Sequence, residues 1–285
     1  MENIPQSHAP VVLTIAGFDP SGGAGIIADI RTIEMFGCAG VATITSVTFQ
    51  NAEKFLGAAH QTAESVRRQI ESIIAKTEIA AVKIGMLPTV EVISEVARLI
   101  REWKLPSAVI DPVMQSTTGG TLMADDAIEA FVEELLPLAR VVTPNIPEAE
   151  KLAGLNIGDE EQMHQAATRI RELGARAVLI KGGHLGQGSV AKHKGSEDPG
   201  TGSTSGQDSS TPQASGKRRM PETIDVLDDS GAVTVFRAER IIAELRGSGC
   251  ILSAAIAASL GKGMALEDSI REAKRFVNSA LRSCA

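Results

Sequence analysis

VVLTIAGFDPSGGAG, Val11 to Gly25, decides how the rest of the chain is read. Its first six residues, Val11 to Ala16, form an apolar, β-branched run that reads as a buried strand. The next nine hold four glycines, together with Asp19 and Ser21. Residues 24–36 then place Ile26, Ile27, Ile30 and Ile33 along one side of a helix. A strand, a glycine-rich turn and a helix make the opening half of a strand–helix–strand unit.

The same unit recurs along the chain. VATITSV (41–47) reads as a strand and 62–76 as a helix, with Val66, Ile70, Ile73 and Ile74 at helical spacing. AAVKIG (80–85), SAVIDP (107–112), ARVVTPN (139–145) and ARAVLIKGG (175–183) read as further strands. Residues 89–103, 124–136 and 159–173 read as the helices between them. TIDVLDD (223–229) and AVTVFRA (232–238) read as a hairpin on the same sheet, and helices over 249–261 and 266–282 close the chain. Continuous apolar strands alternating with helices predict an α/β fold with a mostly parallel sheet covered on both faces. Ligands of such sheets bind beyond the carboxyl ends of the strands. That rule selects Gly17, Gln50, Gly85–Met86, Asp111, Asn145 and Lys181–Gly183. One segment interrupts the pattern: residues 186–219 are rich in Gly, Ser, Thr, Pro and charge, and predict a disordered low-complexity loop inside one domain spanning 1–285.

Composition narrows the function. With 28 Lys and Arg against 35 Asp and Glu, the net charge of −7 argues against a nucleic-acid partner. Three cysteines make no paired framework and fit a reducing compartment. MENIPQSHAP lacks the basic start and apolar stretch of a signal peptide, and no apolar run approaches a membrane span. The expectation is a cytoplasmic protein without a membrane partner.

Two phosphate motifs fail on the opening glycines. Gly23-Ala24-Gly25-Ile26-Ile27-Ala28 fits the dinucleotide pattern G-x-G-x-x-A, but the second strand runs into Thr48-Phe49-Gln50-Asn51, with no acid to hold a ribose. Gly17 and Gly22 have P-loop spacing, but Gly23 and Ala24 stand where Lys and Ser or Thr are required. A tight turn with close helix–strand packing explains one or two of the glycines and leaves Asp19 and Ser21 unexplained. A better anion site is Gly247-Ser248-Gly249-Cys250, just before an apolar helix, where free N–H groups and the helix dipole attract negative charge. A plain helix start with Ser248 near the cap remains open.

AGFDPSGGAGIIADI, VTFQN, VKIGML, VIDPVM, VVTPNIPEAE, LIKGGH and GSGCILSAAIAA follow one another in the order of the hydroxymethylpyrimidine and phosphomethylpyrimidine kinases. The chain resembles that family of the ribokinase-like superfamily from about Val11 to Ala280, excepting the polar insert. The resemblance implies a three-layer α/β/α domain. It implies ATP-dependent phosphorylation of 4-amino-5-hydroxymethyl-2-methylpyrimidine, then of its monophosphate, in thiamine biosynthesis. By the same resemblance Asp29 and Gln50 read the pyrimidine's amino group and ring nitrogen, and Gly17, Met86 and Val113 wall the pocket. Asp111, Asn145 and Glu148 serve the nucleotide and Mg²⁺, with Asp111 and Glu148 as the metal carboxylates. Lys181 and Gly183 belong to the ATP pocket. Gly247, Ser248, Gly249 and Cys250 form the anion hole, with Cys250 as a base whose pKa the helix N-terminus lowers. A homodimer is implied as well.

Blander readings stand beside these. Asp29 can be a solvated helix acid, Gln50 a strand cap, Asp111 a turn former, Lys181 a surface charge, Met86 a core residue and Cys250 a small residue closing a turn. His184 has no metal-ligand partners nearby and reads as a loop residue. The chain also departs from the pattern: before GSGC the resembling kinases often carry Thr and His, where this sequence has Glu244, Leu245 and Arg246. Two rival readings follow, a pyridoxal kinase and a pyrimidine-binding sensor without turnover.

Overall fold

The computed structural model describes residues 9–51, 53–106, 108–116, 119–183, 222–243 and 245–284. The polar insert at 186–219 and His184 lie outside them. Strand β1 (Val11–Phe18) leads through the glycine loop into helix α1 (Gly25–Met35). Then follow β2 (Ala39–Gln50), β3 (Phe55–His60), α2 (Ala63–Ile74), β4 (Ala81–Ile84), α3 (Val90–Glu102) and β5 (Ala108–Ile110). After α4 (Asp125–Ala130) come β6 (Ala139–Val142), α5 (Ile146–Ala153), α6 (Glu160–Glu172) and β7 (Ala177–Gly182). The hairpin β8 (Glu222–Asp229) and β9 (Ala232–Glu239) precedes α7 (Ser248–Gly261) and α8 (Leu266–Cys284).

Among the described residues the strands form one nine-stranded sheet in the order β3-β2-β1-β4-β5-β6-β7-β8-β9. The inner pairings from β2 to β7 are parallel, and the β2–β3, β7–β8 and β8–β9 pairings are antiparallel. Both faces are buried, as the unbroken apolar strands require. Leu13, Ile15, Val82, Ile84 and Ile110 face the core under α2 to α6. Their strand neighbours Val12, Ala81 and Val109 pack against α1, α7 and α8. Helix α7 is built of small and apolar residues because it is enclosed, with Leu252 to Ser259 all buried.

Two elements go beyond the sequence reading. β3 extends the sheet beside β2, with a bulge between Phe49 and Gln50 that breaks the regular pairing. α5 starts at a capping box: the Asn145 side chain accepts the Glu148 N–H, and the Glu148 side chain accepts the Asn145 N–H. The sequence Asn-Ile-Pro-Glu carries the signature of that start. The single helix expected over 124–136 also needs correcting. It is regular only to Ala130, widens into a π turn over Phe131–Leu135 and tightens into a 3₁₀ turn at Leu136–Leu138. Pro137, which cannot donate to a helix ladder, lies in that last turn.

Candidate active site

Asp19 shapes the glycine loop. Its Oδ1 accepts the N–H and the hydroxyl of Ser21 at 3.0 and 2.8 Å, and its carbonyl accepts the N–H of Gly22 at 3.0 Å. The glycines allow two close approaches. A Cβ on Gly25, at φ +59, would lie 2.2 Å from the Gly17 carbonyl oxygen. A Cβ on Gly247, at φ +71, would lie 2.2 Å from the carbonyl oxygen of Gly23. The loop before α1 and the loop before α7 therefore meet backbone to backbone. Arg246 fastens them: its Nη1 donates to Ser21 Oγ at 2.7 Å, and its Nη2 lies 3.2 Å from Asp19 Oδ2. The departure at Arg246 is thus a clasp between the two loops.

A cavity of about 60 Å³ lies behind this junction. Gly17, Gln50, Met86 and Val113 line it, as the sequence reading expects, together with Cys250. A Cβ on Gly17 would sit 3.0 Å from the Met86 sulfur, so glycine lets these two lining residues pack closely. Thr45 Oγ1 donates to the Met86 carbonyl at 2.6 Å and steadies the same wall. The Gln50 side chain has no hydrogen-bond partner among the described residues.

Asp29 is placed differently from the expectation. It is fully buried on α1 and is not among the cavity-lining residues. Its Oδ2 accepts the Thr14 hydroxyl at 2.7 Å and the Lys83 ammonium at 2.8 Å, while Oδ1 is buried without a partner. Burial pushes the Asp29 carboxyl up, and Lys83 and Thr14 pull against it. Burial would lower Lys83, but Asp29, with Cys250 and Asp111, outweighs it and holds the ammonium well above its ordinary range. Two donors converging on Asp29 Oδ2 oppose the upward push on its carboxyl. Lys83 itself lines the cavity, a role the sequence reading missed. The available signal was a lysine inside the otherwise apolar strand AAVKIG.

Cys250 stands in the first turn of α7, where the helix leaves backbone N–H groups of Gly249 and Cys250 without partners of its own. The expectation of an acidic thiol is overturned. Although the residue keeps some surface toward the cavity, its thiol is desolvated, and burial pushes it up to about 11. Lys83 and a hydrogen bond from the Gly25 N–H act in the opposite direction without prevailing. Ser248 donates its N–H to the Leu245 carbonyl at 3.2 Å and makes no side-chain cap.

On the far side of Gly249 lies the expected nucleotide group. Lys181 Nζ donates to Asp111 Oδ1 at 2.9 Å, and the Thr143 hydroxyl donates to the same oxygen at 3.3 Å. A Cβ on Gly249 would come within 3.1 Å of Lys181 Nζ and 3.5 Å of Asp111 Oδ2, so the helix start rests directly on that ion pair. Glu148 is buried, and its Oε2 is held by the Asn145 N–H at 2.8 Å. Burial raises the Glu148 carboxyl to about 7 against the pull of Lys181. The Lys181 N–H donates to the Pro144 carbonyl at 2.9 Å, which brings β7 beside the start of α5. A Cβ on Gly183 would meet nothing within 4 Å among the described residues. Asn145, Glu148, Asp111 and Lys181 are therefore together, beside Gly249 at the start of α7.

Two carboxylates of hard oxygen donors suit a cation that keeps waters and binds phosphates, as Mg²⁺ does. Among the described residues no cluster of three His, Cys, Asp or Glu could hold a metal by itself. No helix among them is long and apolar enough to cross a membrane.

Known proteins carry the same pattern. The chain is 38% identical over 275 residues to a hydroxymethylpyrimidine/phosphomethylpyrimidine kinase of Rhizobium meliloti, covering 95% of this chain and 90% of that protein. It is 36% identical over 272 residues to the thiamine biosynthesis bifunctional protein ThiED of Geobacter sulfurreducens, of whose length it spans 49%. A crystal structure of phosphomethylpyrimidine kinase from Clostridium difficile 630 matches with a TM-score of 0.75 and 30% identity, covering 95% of this chain and 99% of that one. Pyridoxal kinase of Staphylococcus aureus in complex with AMP-PCP and pyridoxal matches with a TM-score of 0.77 and 28% identity, covering 96% and 88%. These structures are ribokinase-like kinases, and the nine-stranded, mostly parallel sheet between two helical layers is their fold. The family model of phosphomethylpyrimidine kinase matches residues 19–285, and the chain belongs to that family of kinases.

Proposed function

We propose that this kinase transfers the γ-phosphoryl group of ATP to the hydroxymethyl oxygen of 4-amino-5-hydroxymethyl-2-methylpyrimidine, and then to a phosphate oxygen of the product, within thiamine biosynthesis. The observation that carries the reading is the position of Gly249 and Cys250. They stand between a small cavity and the Lys181–Asp111 pair, with helix N–H groups at the junction. Phosphoryl transfer asks mainly for positioning and charge stabilisation, and such a junction supplies both. The acceptor occupies the cavity, where the free amide of Gln50 offers a donor and an acceptor side by side to an amino group and a ring nitrogen. Asp29 acts from behind the wall.

In the first step the acceptor oxygen forms a bond to γ-phosphorus as the bond to the ADP oxygen breaks. The hydroxyl proton passes to the Cys250 thiolate. Because Cys250 rests as a thiol, it must first release its own proton to solvent. In the second step the acceptor oxygen is already anionic and needs no base. Lys181, Asn145 and Gly183 serve the nucleotide, and Gly247 and Ser248 complete the turn that aims the N–H groups. Asp111 and Glu148 are the carboxylates that would hold Mg²⁺, which neutralises phosphate charge when bound.

A second reading, pyridoxal phosphorylation, draws on the likeness to the Staphylococcus aureus enzyme. ADP release measured side by side with the pyrimidine alcohol and with pyridoxal separates the two. The pyrimidine is expected to have the higher kcat/KM, and a clear preference for pyridoxal would overturn the proposal. A sensor without turnover would release no ADP with either. The homodimer belongs to the same proposal, as does the cytoplasm, where the free cysteines Cys38, Cys250 and Cys284 stay reduced.

A further inference from the structure

Lys83 is a cation built into the floor of the acceptor cavity. It lies on β4, a strand buried at every position, and its own side chain is fully buried. A buried ion pair such as Lys83–Asp29 rarely adds stability over a well-packed apolar pair, so its retention at this place asks for another reason. Three observations supply one. Lys83 and Cys250 line the same cavity, and Lys83 is the only lysine or arginine among the described lining residues. The position two residues further along the chain, on the same side, is kept clear for it: a Cβ on Gly85 would lie 2.8 Å from Nζ. The ammonium has three donors, of which Asp29 takes one. The starts of α1 and α7, at Gly25 and Cys250, reach the same wall and add the positive ends of two helices. Asp19 lies on the same lining but is engaged by Arg246, so Lys83 and the two helix starts are the groups that offer an anion attraction there.

We propose that Lys83 is an acceptor-binding group: anchored by Asp29, its ammonium holds the negative charge of a phosphorylated acceptor in the cavity and so favours the second phosphorylation. The inference rests on the acceptor reading of the cavity. Its chemical class of ligand is a small ring carrying a monoester phosphate.

Calorimetric binding of the pyrimidine alcohol and of its monophosphate, without ATP, tests it. In Lys83→Met the monophosphate is expected to bind at least about tenfold more weakly, about 1.4 kcal/mol, with the alcohol changed less than about threefold. Gly85→Ala keeps the charge and the ion pair but pushes the ammonium aside, and should lower monophosphate binding in the same selective way even if Lys83→Met fails to fold. Equal losses for both acceptors in the variants would assign Lys83 to the fold alone and overturn the inference. Unchanged binding in both variants would do the same. A wild-type protein that binds neither acceptor would refute the acceptor reading of the cavity, and the inference with it.

Discussion

Cys250 shows how burial can reverse a local expectation. A helix N-terminus makes a thiol more acidic, but desolvation in this cavity is the larger effect and leaves it at about 11. The sign of the pH dependence follows. Below that value the thiolate fraction grows tenfold with each pH unit, so kcat for the alcohol should climb from pH 7 to pH 9. The monophosphate step, which needs no base, should lack that rise. Cys250→Ala should lower kcat for the alcohol by about 100-fold, remove the rise, and spare the monophosphate step. Separate kinetics on the two acceptors check this, and equal losses in both steps would remove Cys250 from the proton's path. The thiol's position was legible in GSGC. Its acidity was not, because the burial that dominates it, and the charges of Lys83, Asp29 and Asp111 that add to or oppose it, come from distant stretches of the chain. Asp29 is a similar case: its place on α1 could be read, but the fully buried Lys83 that claims its Oδ2 could not be paired with it from spacing.

At the scale of elements, the site is the meeting of two loops that precede two helices. The glycines of both are explained by contact between backbones, and Arg246 adds a side-chain clasp. Gly247→Ala would force a Cβ against the Gly23 carbonyl from a left-handed backbone, and should destabilise the protein by about 1–3 kcal/mol in urea unfolding. A smaller change in midpoint than the equivalent of 1 kcal/mol would mean that the loops part readily. Arg246→Met should leave the fold intact and raise KM for the acceptor about tenfold, since the loop that walls the cavity loses its tie to α7. An unchanged KM would make the clasp incidental. The strand–helix alternation that builds these elements could be read from apolar runs alone. α5 was overlooked although Asn145 and Glu148 spell its capping box, and β3 was overlooked because FLGAAH is short, with a glycine and two alanines and no β-branched residue.

At the scale of the whole molecule, the parallel sheet brings the ends of β1, β2, β4, β5, β6 and β7 to one side, where residues from Gly17 to Lys181 converge. That convergence was legible, since each candidate followed an apolar run. At the edges the β8–β9 hairpin was legible and β3 was not; β2 and β3 carry the exposed apolar side chains Phe49 and Leu56, at 50% and 73%. The proposed homodimer gives these residues something to cover. Light scattering should find a dimer for the wild-type chain and a shift toward monomer for the double variant Phe49→Glu, Leu56→Glu; a monomeric wild type would end that proposal. The central claim, two successive phosphorylations of one pyrimidine, is tested most directly by mass spectrometry of the products formed with ATP, Mg²⁺ and the pyrimidine alcohol. The account predicts the monophosphate first and the diphosphate after it. No phosphorylated pyrimidine, with pyridoxal converted to its phosphate under the same conditions, would contradict it.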